Sequence, residues 1–231
     1  MFEREHHRRI ATLLESLDAQ VLLDHACLFG GGTAVALSHG EYRESVDVDF
    51  VCSSVAGYRG LRERVGQSGM AWAFIRALPL RREPRVDQYG IRCAVDVGGL
   101  PVKLEIVFEA RVNLAAPRER DRICGVWTMT AVDLTATKLM ANADRWADDA
   151  VMSRDLIDLA MLAGQDGSLS AEAAAKSRKA YGSSIDLAFA EARQHLLDRP
   201  QRLKTCMRAL GMTMRETALR RRIVRLDLPA A

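Results

Sequence analysis

No apolar run in this 231-residue chain approaches the roughly 20 residues that a membrane-spanning helix requires. The first residues, MFEREHHRRIATLLESL, are charged and amphipathic and lack the apolar stretch of a secretory signal. Cysteine is sparse: five residues at 27, 52, 93, 124 and 206, an odd number, with no C-x-x-C. That pattern suggests neither a disulfide framework nor a zinc knuckle. Most sit among apolar neighbours and read as small core residues, and a reducing cytoplasm is the expected compartment. A large charge of either sign is also missing. The net charge of +3 permits a nucleotide or RNA partner without requiring one. Internal repeats are absent. What remains is ordinary globular material, 48% hydrophobic, long enough for one large domain or two small ones.

Residues 4–18 place Ile10, Leu13, Leu14 and Leu17 at helical spacing. Leu28 and Phe29 read as a strand leading into Gly30, Gly31 and Gly32. The pattern predicts a helix over 55–67, with Leu61 and Val65 inward, and a short strand at Trp72, Phe74 and Ile75. The segment 79–88, PLRREPRVDQ, is charged, carries two prolines and predicts a loop. Alternating runs at Ile91–Val97 and Val102–Phe108, joined through Gly98-Gly99-Leu100-Pro101, predict a β-hairpin. Strand signals vanish from about residue 130. Thr130-x-x-Asp133 resembles a capping box opening a helix over 131–147. Ser153 is placed to cap the next, which Gly164 ends, and further helices start at Ser170, Ser184 and Thr213-x-x-Glu216. The order of helices and hairpins argues against a regular parallel sheet and for an α+β fold.

The stretch FGGGTAVALSHGEYRESVDVDFV, residues 29–51, carries the chemistry. Three glycines let a backbone turn take positive φ and let a ligand come close. Thr33 and Ala34–Leu37 read as the first turn of a helix, whose N–H groups favour phosphate. Thr33 is placed either to give its hydroxyl to a phosphate or to cap that helix. Ser45–Val51 alternates strictly, so Val46, Val48 and Phe50 are expected on one face and Asp47 and Asp49 on the other. Two carboxylates roughly 7 Å apart at their roots can converge on a hard cation such as Mg2+, with Mn2+ as alternative. Arg43 and Ser45 are candidates to bind phosphate or to brace the Asp strand.

Gly31-Gly32-Thr33-Ala34, Leu37 and Arg43-x-Ser45-x-Asp47-x-Asp49-Phe50 together resemble the first motif of the DNA polymerase β-like nucleotidyltransferases. Within that superfamily they look like the AbiEii-type toxin nucleotidyltransferases. Lys138-x-x-Ala141-x-x-x-Arg145, followed by Arg154-Asp155-x-x-Asp158-Leu159, resembles that family's second signature. The resemblance implies a polymerase β-like mixed sheet with flanking helices over residues 1–128. A helical domain over 129–231 would complete the active-site cleft. It also implies that Lys138 meets the NTP triphosphate and that Asp155 orients the triphosphate or the basic residues. The acceptor would be tRNA or a protein, with a DNA-binding antitoxin as partner.

The resemblance further implies a third acid on a neighbouring strand that would hold metal or take the acceptor proton. Glu105 is the candidate if its strand lies beside Asp47 and Asp49; a plain pairing with Lys103 or Arg92 is the alternative, and Asp96 a weaker competitor near the turn. Charges such as Arg154 and Asp158 could also be simple i,i+4 pairs. His6 and His7 are expected on a solvated helix face and His39 in a loop. Arg220, Arg221, Arg222 and Arg225, without interleaved aromatics, are expected at a solvated helix end. The function these features imply is nucleotidyl transfer. A nucleotide- or RNA-binding protein without turnover, or an NTP-dependent kinase, is the rival.

Overall fold

The computed structural model describes residues 2–199 and 201–230. The chain divides into two units, Met1–Glu41 with Ser45–Thr130, and Tyr42–Glu44 with Ala131–Ala231. The fold is α+β, as the sequence predicts. Among the described residues no helix is long and apolar enough to cross a membrane.

The N-terminal unit is built on a five-stranded sheet formed by β1 (Cys27–Gly30), β2 (Asp47–Cys52), β3 (Leu80–Val86), β4 (Gly90–Val97) and β5 (Leu100–Phe108), in the order β1-β2-β5-β4-β3. Only the β2–β5 pair is parallel. Strand periodicity sorts the sheet into two faces. Val48, Phe50, Leu104, Ile106, Cys93 and Val95 fill the apolar face, and Phe29 meets Phe50 at 5.5 Å between ring centres. The helices α1 (Glu5–Ser16), α2 (Ala19–Asp24), α3 (Gly31–Ser38) and α4 (Val55–Ser68) bury Ile10, Leu13, Leu14, Leu22, Val35, Tyr58, Leu61 and Val65 in this unit. A two-residue ladder, β6 (Arg122–Ile123) with β7 (Val126–Trp127), is braced by the Arg122 guanidinium 3.7 Å over the Trp127 ring.

Several local expectations change. The segment predicted to be a loop at 79–88 holds β3. It lies at the sheet edge, where Pro84 costs no ladder bond that an interior strand would need. Trp72 sits in a 3-10 turn, Ala71–Ala73, and only Phe74 makes an isolated bridge to Leu17. Val46 precedes β2 and is 49% exposed, so it does not share the buried face of Val48 and Phe50. His7 is fully buried, although His6 beside it is not. All five cysteines are free thiols; Cys124 is partly exposed and the other four are buried.

The C-terminal unit is helical. Its central helix α5 (Ala131–Arg145) packs against α6 (Arg154–Leu162), α7 (Ala171–Tyr181) and α8 (Ser184–Leu197). Ser170 caps α7 by accepting from the Ala173 N–H, but Ser153 does not cap α6. Met152 and Ser153 both take left-handed backbone, with φ of 54° and 51°, and the Ser153 side chain makes no capping hydrogen bond. The helix α9 (Arg202–Ala209) had no clear sequence signal. The last, α10 (Glu216–Arg225), begins at Glu216 rather than at Thr213.

Candidate active site

The glycine turn lies where β1 ends and α3 (Gly31–Ser38) begins. Gly30 pairs with Asp49 across the β1–β2 ladder. A Cβ on Gly30 would stand 2.9 Å from the Met129 side chain, because Met129 N–H donates to the Phe29 carbonyl alongside. Gly31 has φ +66°, and a Cβ there would stand 2.5 Å from Asp49 Oδ2. Only glycine satisfies both the backbone angle and this approach. The first turn of α3 therefore starts directly against a carboxylate of the Asp-x-Asp strand.

Asp47 and Asp49 occupy alternate, half-buried positions on β2, opposite in face to Val48 and Phe50. Thr33, 1% exposed, donates its hydroxyl to the Asp47 carbonyl and shares a 2.8 Å hydrogen bond with the Ser45 hydroxyl. Both residues thus brace the acid strand. Ser45 N–H donates to His7 Nε2 at 3.1 Å, while His7 Nδ1 meets Glu41 at 2.7 Å. This is the neutral imidazole with its proton on Nδ1. Burial lowers the His7 pKa, outweighing the opposing pull of Glu41. His7 was missed as a support of the strand. Its position one helical turn before Ile10 was the available signal.

Glu105 stands directly opposite Asp49 in the parallel β2–β5 register, so Asp47, Asp49 and Glu105 share one sheet face. Glu105 is also the centre of its own ion cluster, with Arg92 Nε at 2.5 Å and Lys103 Nζ at 2.7 Å. Burial raises its pKa, but hydrogen bonds from Lys103 and Arg92 reverse this and hold it below the usual glutamate value. Lys103 is raised in turn, first by Glu105 and further by the charges of Asp47 and Asp49. Asp96, the weaker competitor, is paired with Arg81.

Among the described residues no three His, Cys, Asp or Glu side chains are gathered to hold a metal unaided. Asp47 and Asp49 still fit Mg2+, which is commonly held by one or two carboxylates plus waters and substrate phosphates. The two carboxylates stand on one half-buried sheet face with Glu105 opposite Asp49, an all-oxygen donor set of the kind a hard cation takes.

The remaining candidates lie in the C-terminal unit and form a buried ion network. Lys138, 5% exposed, contacts Asp155 at 2.9 Å and Asp158 at 2.6 Å. Arg145 grips both oxygens of Asp155 at 2.7 and 2.9 Å. Arg43 grips both oxygens of Asp158 at 2.7 and 2.8 Å, and the Tyr42 hydroxyl donates to Asp158 at 2.6 Å. Burial alone would raise both aspartates; Lys138 with Arg145, and Lys138 with Arg43, hold them below the ordinary carboxylate range. The Arg154–Asp158 pair that sequence spacing allows is not made. Arg43, which grips Asp158 instead, is 115 residues away, a distance that spacing along one helix cannot reveal.

A mixed sheet with a glycine turn set against an Asp-x-Asp strand has the nucleotidyltransferase fold. A crystal structure of an H. pylori protein described as a nucleotidyltransferase matches it with a TM-score of 0.52 at 17% identity, covering 94% of this chain and 89% of the other. Residues 12–222 match the family described as "Nucleotidyl transferase AbiEii toxin, Type IV TA system", and the chain belongs to that family. JHP933 from Helicobacter pylori is more distant, with a TM-score of 0.44 and 16% identity over 97% of this chain and 95% of the other. No curated protein matches the chain.

Proposed function

We propose that this protein is a divalent-metal-dependent nucleotidyltransferase toxin. It moves a nucleoside monophosphate from an NTP to a hydroxyl on RNA, tRNA by family resemblance, or on a protein. One observation carries the reading: Gly31, at φ +66°, sets the start of α3 against the Asp49 carboxylate, closer than any residue with a Cβ could come. Asp47 and Asp49 would hold Mg2+, with Mn2+ as the alternative. Bound there, the cation would offset the charge that builds on the α-phosphate oxygens. The N–H groups of Gly31, Gly32 and Thr33 at the start of α3 receive the β- and γ-phosphates. The Thr33 and Ser45 hydroxyls hold the Asp47 backbone in place. Glu105, kept ionised by Lys103 and Arg92, is a weak proton acceptor and better suited to support the metal side of the site. The acceptor hydroxyl attacks the α-phosphorus in line, the bond to the β-phosphate breaks, and pyrophosphate leaves.

Lys138 is assigned to offset triphosphate charge, and Asp155 to orient Lys138 and Arg145. The Lys138 ammonium would have to exchange a carboxylate for a phosphate oxygen to do so. Arg43 is assigned a bracing role through Asp158. Membership of a type IV toxin–antitoxin family supports a cognate antitoxin as partner.

The test is incubation with each α-labelled NTP, Mg2+, total RNA and lysate protein. Label in RNA or protein with release of pyrophosphate is the expected result. Release of nucleoside diphosphate would point to a kinase. NTP binding without any transfer would leave only the binding-protein reading.

A further inference from the structure

The open face of the N-terminal sheet is crossed by two aligned rows of side chains. The strand registers define one row as Asp47–Lys103–Ala94–Arg82 and the other as Asp49–Glu105–Arg92–Arg85. Each row starts at a proposed metal ligand on β2 and ends at an arginine on the edge strand β3. Arg82 and Arg85 are three residues apart, so in a regular strand they would point to opposite faces. Irregularities between Leu80 and Arg82, and again between Arg82 and Arg85, bring both opposite residues of the acid-bearing face. Such bulges re-aim side chains. Both arginines are exposed and neither has an ion-pair partner among the described residues. Beside Arg82 lies a hollow of about 360 Å³ lined by Arg81, Arg82, Ala94, Gly99 and Pro101.

We propose that the Arg82–Arg85 edge, continued by Arg92 and Lys103, binds the phosphate backbone of an RNA acceptor and leads it toward Asp47 and Asp49. This rests on the nucleotidyltransferase reading and names the acceptor class of that site. The rows are about 7 Å apart and cross three strand spacings, about 14 Å, from the edge arginines to the acids. Lys103 and Arg82 in one row and Arg92 and Arg85 in the other put four cations on that face, enough to meet several successive phosphates. Charge on an edge strand also guards against edge-to-edge pairing. That purpose needs neither one sign nor one face, yet β3 carries Arg81, Arg82 and Arg85 against the single acid Glu83.

The experiment is fluorescence anisotropy with labelled, unfractionated tRNA and the full chain over a salt series. Arg82→Ser/Arg85→Ser should weaken binding about tenfold and lower the slope of log affinity against log salt by about 1.5 to 2. Binding of a fluorescent NTP should be unchanged. The control Arg220→Ser/Arg221→Ser, two exposed arginines midway along α10, should leave affinity and slope as they are. Wild-type affinity and slope in the β3 variant would overturn the proposal, as would an equal loss in the α10 control. So would a wild-type protein that ignores tRNA and labels only protein, although nucleotidyl transfer itself would then stand. The transferase reading is tested apart: NMP transfer that survives in Asp47→Asn would remove it, whatever the anisotropy shows.

Discussion

Each unit carries two aspartates close in sequence, and the pairs sit in opposite surroundings. Asp155 and Asp158, on α6, are 2% and 0% exposed, and each is met by two cations. Asp47 and Asp49, on β2, are half-buried, and among the described residues the Asp47 carboxylate has no ion-pair partner. The nearby ammonium of Lys103 feels both charges but bonds Glu105. Buried charges with full sets of partners hold a fold in one arrangement and leave nothing for a ligand to neutralise. Asp47, half-buried beside a second acid on the same face and without such a set among the described residues, favours a bound cation. The strand pair is therefore the stronger candidate for direct contact with a cation, and the helical pair for holding Lys138, Arg145 and Arg43 in place.

Substitutions that exchange the outcomes would break this contrast. Asp49→Asn should reduce nucleotidyl transfer at least a thousandfold, about 4 kcal/mol of barrier, with an unchanged or raised melting temperature. Asp158→Ala should do the reverse. It strands Arg43 and half of the Lys138 contacts in a buried place, and denaturant unfolding should show a loss of about 3 kcal/mol. If Asp158→Ala melts like the wild type but fails in transfer, the helical pair belongs to the chemistry.

Gly31→Ala sharpens the contrast on the strand side. The left-handed backbone costs about 1–2 kcal/mol for a residue with a Cβ, and the added methyl would press on Asp49. Transfer should drop by about a hundredfold and metal binding weaken, with only a modest fall in melting temperature. An alanine variant that keeps wild-type transfer would show that the approach of the turn to Asp49 has no part in catalysis.

What the sequence made legible was local. The alternation around Asp47 and Asp49 placed a strand with its acids on one face, and three glycines marked the turn, of which Gly31 needs its positive φ. The hairpin of β4 and β5 and the helix α5 follow from periodicity and turn chemistry alone. What was hidden depended on distant partners. Asp158 could not announce Arg43, and His7 looked like one of two polar helix residues until Glu41 and the Ser45 N–H were beside it. The edge strand β3 was obscured by its own defences, since proline and charge are what an edge tolerates and what a loop displays. Ser153 has the residue type of a helix cap but not the backbone: at φ 51° its hydroxyl makes no capping bond.

The smallest effect separates the units by pH. The folded state holds Asp155 and Asp158 below their ordinary values, so their stabilisation is present above about pH 4 and is lost as pH falls further. His7 also has a lowered folded pKa, but its ordinary value is 6.5. Between those two values the unfolded chain binds the extra proton, so stability falls as pH drops below about 6.5. The slope is bounded by one proton, about 1.4 kcal/mol per pH unit. Melting temperature should therefore decline in an early window from His7 and a later one from the helical acids. His7→Gln should flatten the early window and leave the later one. If the early decline persists in that variant, His7 is not the group that titrates, and the neutral imidazole bracing Ser45 is not what the pH profile reports.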